Sequence, residues 1–346
     1  MNVSKASILI IHRNGEKIIR ECLESIRKNT KNVKIFILLN KTEDKSEEII
    51  KKEFPEVIIY KSSKLIGFAK ASNFLAKKAK TKYIVFLNND VVVEKNWLDN
   101  LIKTIESHKN CVACQPKIKS YYERNKFEYA GAAGGFIDKY GYPFCRGRIF
   151  NTIEFDKGQY DNEIRIFWSC GVCLLVRRDF FINSGMFDED FFMYAEELDF
   201  CWRANLYGKE IWYSPNSIIY HIGSYTIKTE KIKMFKEYLI HRNTLITFFK
   251  NTSDENIKKL LIRRILFELI NIIVYPTVSI SIIKSLCWII KNTEKIKEKH
   301  KKIQKIRKIS DENFEDLIFY KSIIFEYFLF GKKIFKQLDF NKKHKR

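Results

Sequence analysis

Three groups of residues carry side chains suited to chemistry. The first is Asn88-Asn89-Asp90, which ends the apolar run Tyr83–Leu87. A carboxylate on the loop after a buried strand sits where open α/β sheets bind ligands. Mg²⁺ and Mn²⁺ prefer oxygen donors and commonly take one or two carboxylates together with substrate phosphates. Asp90 is therefore expected to hold a divalent metal against a nucleotide diphosphate; the plain alternative is a polar turn before a helix. The second group is the pair Glu196 and Glu197, set among aromatic residues. Clustered carboxylates in such surroundings raise each other's pKa and suit general-base work, although acidic residues also favour any helix N-terminus. The third is His221, a short way past another strand pattern, where an imidazole can complete a metal site with Asp90 or serve only structure. Arg146 and Arg148, in a Gly-rich stretch, either reach a phosphate or remain solvated.

The elements that must position these groups follow from pattern. Residues 7–11, 33–39, 57–60 and 111–118 read as buried strands. Residues 16–28, 66–79 and 94–108 show helical spacing, the second opened by Gly67. Alternating strand and helix predicts an α/β fold: a Rossmann-like, mostly parallel sheet with helices on both faces. Residues 121–161 break the alternation with glycines and aromatics, but not in the order of a dinucleotide-binding loop. Residues 164–176 read as one strand, and 191–203 as an acidic, aromatic helix start with Glu196, Asp199 and Arg203 along one side.

Bulk properties bound the partners. The chain has 346 residues, 46% of them hydrophobic, and a formal net charge of +22. That permits an anionic membrane surface, a phosphorylated substrate or nucleic acid. No secretory leader is expected, because the N-terminus runs straight into a strand pattern. The eight cysteines are scattered through apolar segments. Cys111 and Cys114, on one strand, are expected to face opposite ways, which argues for packing over a zinc or redox pair. Beyond residue 227 the chain reads as a helical extension. Its longest uncharged apolar run, residues 269–283, contains Pro276 and is short of the ~20 residues a membrane span needs. An interfacial or re-entrant pair of helices is expected there, followed by a cationic helix at 291–308 and an aromatic helix at 318–335. A helical extension or oligomer contact away from membrane is the alternative.

Taken together, these stretches resemble the inverting nucleotide-sugar glycosyltransferases of family 2, with the GT-A fold, from about Ser7 to Thr226. They are most similar to rhamnosyltransferase-like bacterial members that build surface polysaccharides. The motifs that carry the resemblance are His12-Arg13-Asn14-Gly15, Ile66-Gly67-Phe68 with Asn73, and Leu87-Asn88-Asn89-Asp90. Further on come Gly134–Asp138 with Arg146-Gly147-Arg148, Trp168–Gly171, Glu196–Arg203 and Tyr220-His221. The resemblance implies a catalytic domain over 1–226 and an extension over 227–346. It implies Mn²⁺ or Mg²⁺ held by Asp90 and His221, with Asn88 a weakened first member of an Asp-x-Asp motif. It implies Glu197 as catalytic base, with Glu196 the fallback. The donor side falls to Asn14, Asn40, Thr42, Gly67, Asn73, Asn88, Asn89 and Asp90, with Asp44 in the same nucleoside-side loop. The acceptor and sugar pocket falls to Trp168, Gly171, Arg146 and Arg148. Leu39 departs from the family, which usually has Asp there to help read the nucleobase. The expected partners are a nucleotide-sugar donor and a glycan, lipid-linked acceptor. The enzyme is expected to be cytoplasmic, peripheral on the inner face of the plasma membrane, with nucleic acid disfavoured. The competing readings are a nucleotidyltransferase, and a non-catalytic membrane- or nucleic-acid-binding protein on the same fold.

Overall fold

The structure, a computed structural model, describes residues 5–223 and 229–340. The expected domain boundary near Thr226 lies outside the described residues. The N-terminal half builds in alternation. Strand β1 (Ala6–His12) is followed by α1 (Glu16–Asn29), β2 (Lys34–Asn40), α2 (Ser46–Glu53), β3 (Ile58–Ser62), α3 (Phe68–Lys78) and β4 (Tyr83–Leu87). These four strands pair parallel in the order β4-β1-β2-β3. Their side chains explain the arrangement: Ile8, Leu9, Ile10 and all of β4 are buried on both faces, which only a sheet covered by helices allows. On α1 the predicted stripe Ile18, Ile19, Cys22, Leu23, Ile26 is the buried face.

The other half of the sheet is mixed. Strands β5 (Val91–Val93) and β6 (Cys111–Ser120) flank α4 (Trp97–Ser107). Four short strands follow: β7 (Gly135–Asp138), β8 (Pro143–Cys145), β9 (Arg148–Ile149) and β10 (Thr152–Ile153). The single strand expected over 164–176 is two, β11 (Ile164–Ile166) and β12 (Cys173–Arg177), which pair with different neighbours; between them the Trp168 indole donates to the Phe136 carbonyl (2.9 Å). After α5 (Arg178–Asn183) and α6 (Glu196–Leu206) comes the long β13 (Glu210–His221). Strand β12 inserts antiparallel between β4 and β6, β13 runs parallel to β6, and β5 pairs antiparallel with the end of β13.

One side-chain expectation fails here. Glu210 opposes Cys111 while Ile211 opposes Ala113, so β6 carries a bulge at Val112. The extra residue re-aims the strand, and the Cys111 and Cys114 sulfurs lie 3.4 Å apart instead of on opposite faces. Both remain buried free thiols.

The C-terminal third consists of α7 (Glu230–Asn251), α8 (Asp254–Val274), α9 (Ser279–Lys291), α10 (Thr293–Ile306), β14 (Ile318–Phe319) and α11 (Ile323–Phe328). Strand β14 pairs parallel with β7 and completes a second, five-stranded sheet with β8, β9 and β10. The aromatic helix expected over 318–335 is thus corrected to a strand, a short helix and a turn at Gly331, whose φ is +66°. Tertiary pairing with β7 overrides the local pattern there. Asp138 clamps the junction by accepting from the Tyr140, Tyr142 and Ile323 amides. Phe314, Leu317, Phe319 and Ile323 join the same hydrophobic core as Phe136 and Phe144. Among the described residues, no helix is long and apolar enough to cross a membrane.

Candidate active site

The loop after β4 is fixed from both sides. The Asn88 amide donates to the Val172 carbonyl (3.0 Å), and the Asn89 side chain donates to His12 Nδ1 (2.8 Å). Because an amide nitrogen can only donate, His12 carries its proton on Nε2. Burial lowers the His12 pKa to about 4, against a smaller upward pull from Asp44, so the ring is neutral.

Strand β5 places the metal-side pair. It pairs Val91 with His221, and the Ile222 amide donates to the Asp90 carbonyl (2.9 Å). Asp90 Oδ1 and His221 Nε2 come to 3.2 Å. The contact misses hydrogen-bond angles, so Asp90 Oδ1 is a buried oxygen without a hydrogen-bond partner, as is His221 Nδ1 on the ring's far side. Adjacent ligands of an octahedral Mg²⁺ stand about 3 Å apart, given metal–oxygen distances of ~2.1 Å. The pair therefore fits a divalent cation. Glu128 Oε1 lies 3.7 Å from His221 Nδ1. Burial pulls the His221 pKa down, but Asp90 and then Glu128 outweigh it and lift the value to about 9, so a cation bound there would displace a proton from the ring. Among the described residues no set of three His, Cys, Asp or Glu side chains is arranged to hold a metal. Two protein ligands would leave the remaining positions to substrate phosphate and water, the usual Mg²⁺ pattern.

The carboxylate pair stands next to this loop. Glu197 Oε1 accepts from the Gly171 amide (3.4 Å), and Gly171 precedes Val172, which holds Asn88. One chain segment thus links Glu197 to the Asp90 loop. Oε2 of Glu197 and Oε2 of Glu196 have no hydrogen-bond partner. Burial raises both pKa values, Glu196 further because the Glu197 charge adds to it. Of the two, Glu197 is half-buried and Glu196 fully buried.

Helix α6 starts from an unusual loop. Phe192, Tyr194 and Ala195 have φ of 63°, 70° and 65°, a left-handed region that costs a side-chain-bearing residue roughly 1–2 kcal/mol each. Helix α7 holds it: Asn243 Nδ2 donates to the Phe191, Met193 and Tyr194 carbonyls at 2.9, 2.9 and 2.7 Å. Arg242 donates to the Asp190 and Phe191 carbonyls at 2.9 and 3.0 Å. Asp199 is committed to structure through Arg203 (2.9 Å) and Lys250 (2.8 Å).

Several residues expected to touch ligand hold the scaffold. The Asn40 side chain pairs with both backbone groups of Ile66, at 2.8 and 3.0 Å. Asn73 ties the Phe187 backbone at 2.9 and 3.1 Å. A Cβ on Gly67 would strike the Phe192 carbonyl, so this glycine serves close packing. Asn14 accepts from the Glu43 amide and Thr42 donates to the His12 carbonyl, which join the two loops at the carboxyl ends of β1 and β2. Asp44 accepts from the Gly15 amide (2.7 Å); burial works upward on its pKa, but this and the Ser46 hydrogen bonds set it below the usual carboxylate range. Leu39 is buried in β2 beside His12. Arg146 is corrected outright. Its guanidinium is buried between the Tyr160 and Tyr213 rings (5.1 and 4.8 Å to their centres) and donates to the Ala133 carbonyl. Arg148 is bound to the Tyr129 carbonyl and lies over that ring. Trp168 is buried, with Gly135 pressed against its ring. Glu128 and strand β5 were not foreseen. Glu128 lies in the irregular stretch between β6 and β7, where no periodicity marks a side chain's direction.

A mixed sheet with a carboxylate–imidazole pair at the carboxyl edge of its strands and a buried glutamate alongside fits a group transferase. Residues 7–184 match the family model described as glycosyl transferase family 2. The chain belongs to that family and is a glycosyltransferase, which sets aside the nucleotidyltransferase and non-catalytic readings. It is 24% identical over 239 residues to rhamnosyltransferase WbbL of Escherichia coli (strain K12), covering 67% of this chain and 89% of the relative. It is 23% identical over 240 residues to O-antigen biosynthesis protein RfbC of Myxococcus xanthus, covering 66% of this chain but 18% of that protein. The fold is shared with GalNAc-T7, solved with UDP, GalNAc and Mn²⁺ (TM-score 0.59, 17% identity, 75% of this chain and 50% of that one). It is also shared with the mannosyltransferase PcManGT from Pyrobaculum calidifontis, solved with GDP-Man and Mn²⁺ (TM-score 0.52, 12% identity, 81% and 74%).

Proposed function

We propose that the chain transfers a sugar from a nucleotide-diphosphate donor to a glycan hydroxyl, with inversion, during assembly of a bacterial surface polysaccharide. The similarity to WbbL and RfbC supports the polysaccharide class. The observation that carries the chemistry is the 3.2 Å Asp90–His221 pair, linked through Val172 and Gly171 to Glu197. Asp90 and His221 would hold Mn²⁺ or Mg²⁺, which when bound supplies Lewis-acid charge to the diphosphate leaving group. Glu197 takes the proton of the acceptor hydroxyl as that oxygen attacks the anomeric carbon. The bond from the anomeric carbon to the diphosphate oxygen breaks with both electrons on the leaving group. A new glycosidic bond forms on the opposite face. Burial keeps the Glu197 pKa above the ordinary carboxylate value, which makes its conjugate base a better acceptor near neutrality. Glu196, more deeply buried, is the fallback base. The acceptor is carried on a lipid at the inner face of the plasma membrane. Release of nucleoside diphosphate from a panel of nucleotide sugars, with and without Mn²⁺, tests the reading: one donor should be cleaved only with the metal. Cleavage of none, or cleavage indifferent to metal, overturns it.

A further inference from the structure

Helices α8 and α9 form a hairpin that turns at Tyr275 and Pro276, and its outer face is apolar. On α8, Leu266, Ile270 and Ile273 repeat at helical spacing, with Ile273 81% exposed. On α9, Ile280, Ile283 and Ile290 do the same, with Ile290 73% exposed. The inner face of α9 is occupied: Ser281 and Ser285 donate to the Met234 and Tyr238 carbonyls of α7, each at 2.8 Å. The exposed stripes are therefore not the faces that hold the fold together. Exposed apolar stripes of this kind mark an interaction site.

Its charge selects the partner. Between Glu268 and Glu294 the chain has no acidic residue, and Lys284 and Lys291 are its only charges. Both lysines are exposed on α9, and Arg263 is exposed on α8 beside the stripe. Neither helix is long and apolar enough to span. An apolar helix face edged by cations, with no anions among them, matches the boundary between acyl chains and anionic headgroups. We infer that the α8–α9 hairpin docks the enzyme on an anionic bilayer, laying its outer face in the headgroup layer. This deepens the reading of a lipid-carried acceptor and rests on it for its purpose, though not for its physics. The hairpin is one helix away from the catalytic loop, because α7 carries Asn243, which holds the residues before Glu196.

Flotation of the full chain with phosphatidylcholine vesicles, with and without phosphatidylglycerol, tests it. The wild type should rise with the anionic vesicles and stay down with the neutral ones. An Ile273→Glu/Ile280→Glu variant, altered where the side chains already meet water, should lose binding by about tenfold or more. Lys284→Glu/Lys291→Glu should lose the preference for anionic lipid. Both variants should release nucleotide from a water-soluble donor at the wild-type rate. Wild type that fails to float, or an Ile273→Glu/Ile280→Glu variant that floats unchanged, overturns the inference. A concentration-dependent dimer that this variant dissociates assigns the face to a second copy and also overturns it. A wild type that floats but cleaves no donor counts against the transfer reading alone.

Discussion

Asn243 offers a clean separation of positioning from binding. Its two N–H groups serve three carbonyls, of Phe191, Met193 and Tyr194, within the loop that launches Glu196 and Glu197. Asn243→Ala removes those bonds at about 0.5–1.5 kcal/mol each, so a stability loss of roughly 2–4 kcal/mol is expected. It also frees a loop whose three left-handed residues store strain. Once released, the loop relaxes, and a displacement of Glu197 by about 1 Å costs on the order of 10²-fold in turnover. Asp90 and His221 stand on other elements, so donor KM should stay within about twofold while kcat falls. The carboxylates also gain water. Their raised pKa values should drop towards the ordinary range, and the acid limb of the kcat–pH profile should move to lower pH. Steady-state kinetics across pH, well below the variant's Tm, reads all three. An unchanged kcat, or equal losses in kcat and donor binding with no shift of the acid limb, would refute the positioning argument.

Other predictions follow from single contacts. Asp90→Ala and His221→Ala should each abolish the Mn²⁺-dependent part of donor affinity, measured by titration with and without the metal; a metal-dependent increment that survives both would place the cation elsewhere. Glu268 is buried, which works upward on its pKa, yet Arg264 and His241 hold it down at about 2. Its contribution to stability is therefore complete above the ordinary glutamate value and is lost as pH falls from there towards 2. Tm against pH should show this acid limb in the wild type and a flatter one in Glu268→Gln. Gly135→Ala would push a Cβ into the Trp168 ring, and should destabilise by about 1–3 kcal/mol in a denaturant melt.

Much of this architecture was legible because its signals are local. Tyr83–Leu87 is buried on both faces and announces a central strand, with Asp90 on the loop at its carboxyl end. His221 was readable as a partner from its place past a strand pattern and from the resemblance, although 130 residues of chain separate it from Asp90 and the three valines of β5 that join them look like an ordinary strand end. Arg146 misled because its partners Tyr160 and Tyr213 come from distant segments, and a sandwiched arginine has the same local sequence as a solvated one. The Cys111–Cys114 approach depends on a bulge set by the register of β13. Asn40 and Asn73 stand where the family motifs put them, but their amides answer to backbone groups of neighbouring loops.

The proton acceptor is the central claim, and Glu197→Gln probes it with the least change in shape. With a donor identified by the nucleotide-sugar screen and its acceptor supplied, the steady-state rate of nucleoside diphosphate release should fall about 10²–10⁴-fold while Mn²⁺-dependent donor affinity holds. Release at the wild-type rate from the Glu197→Gln enzyme would contradict the account.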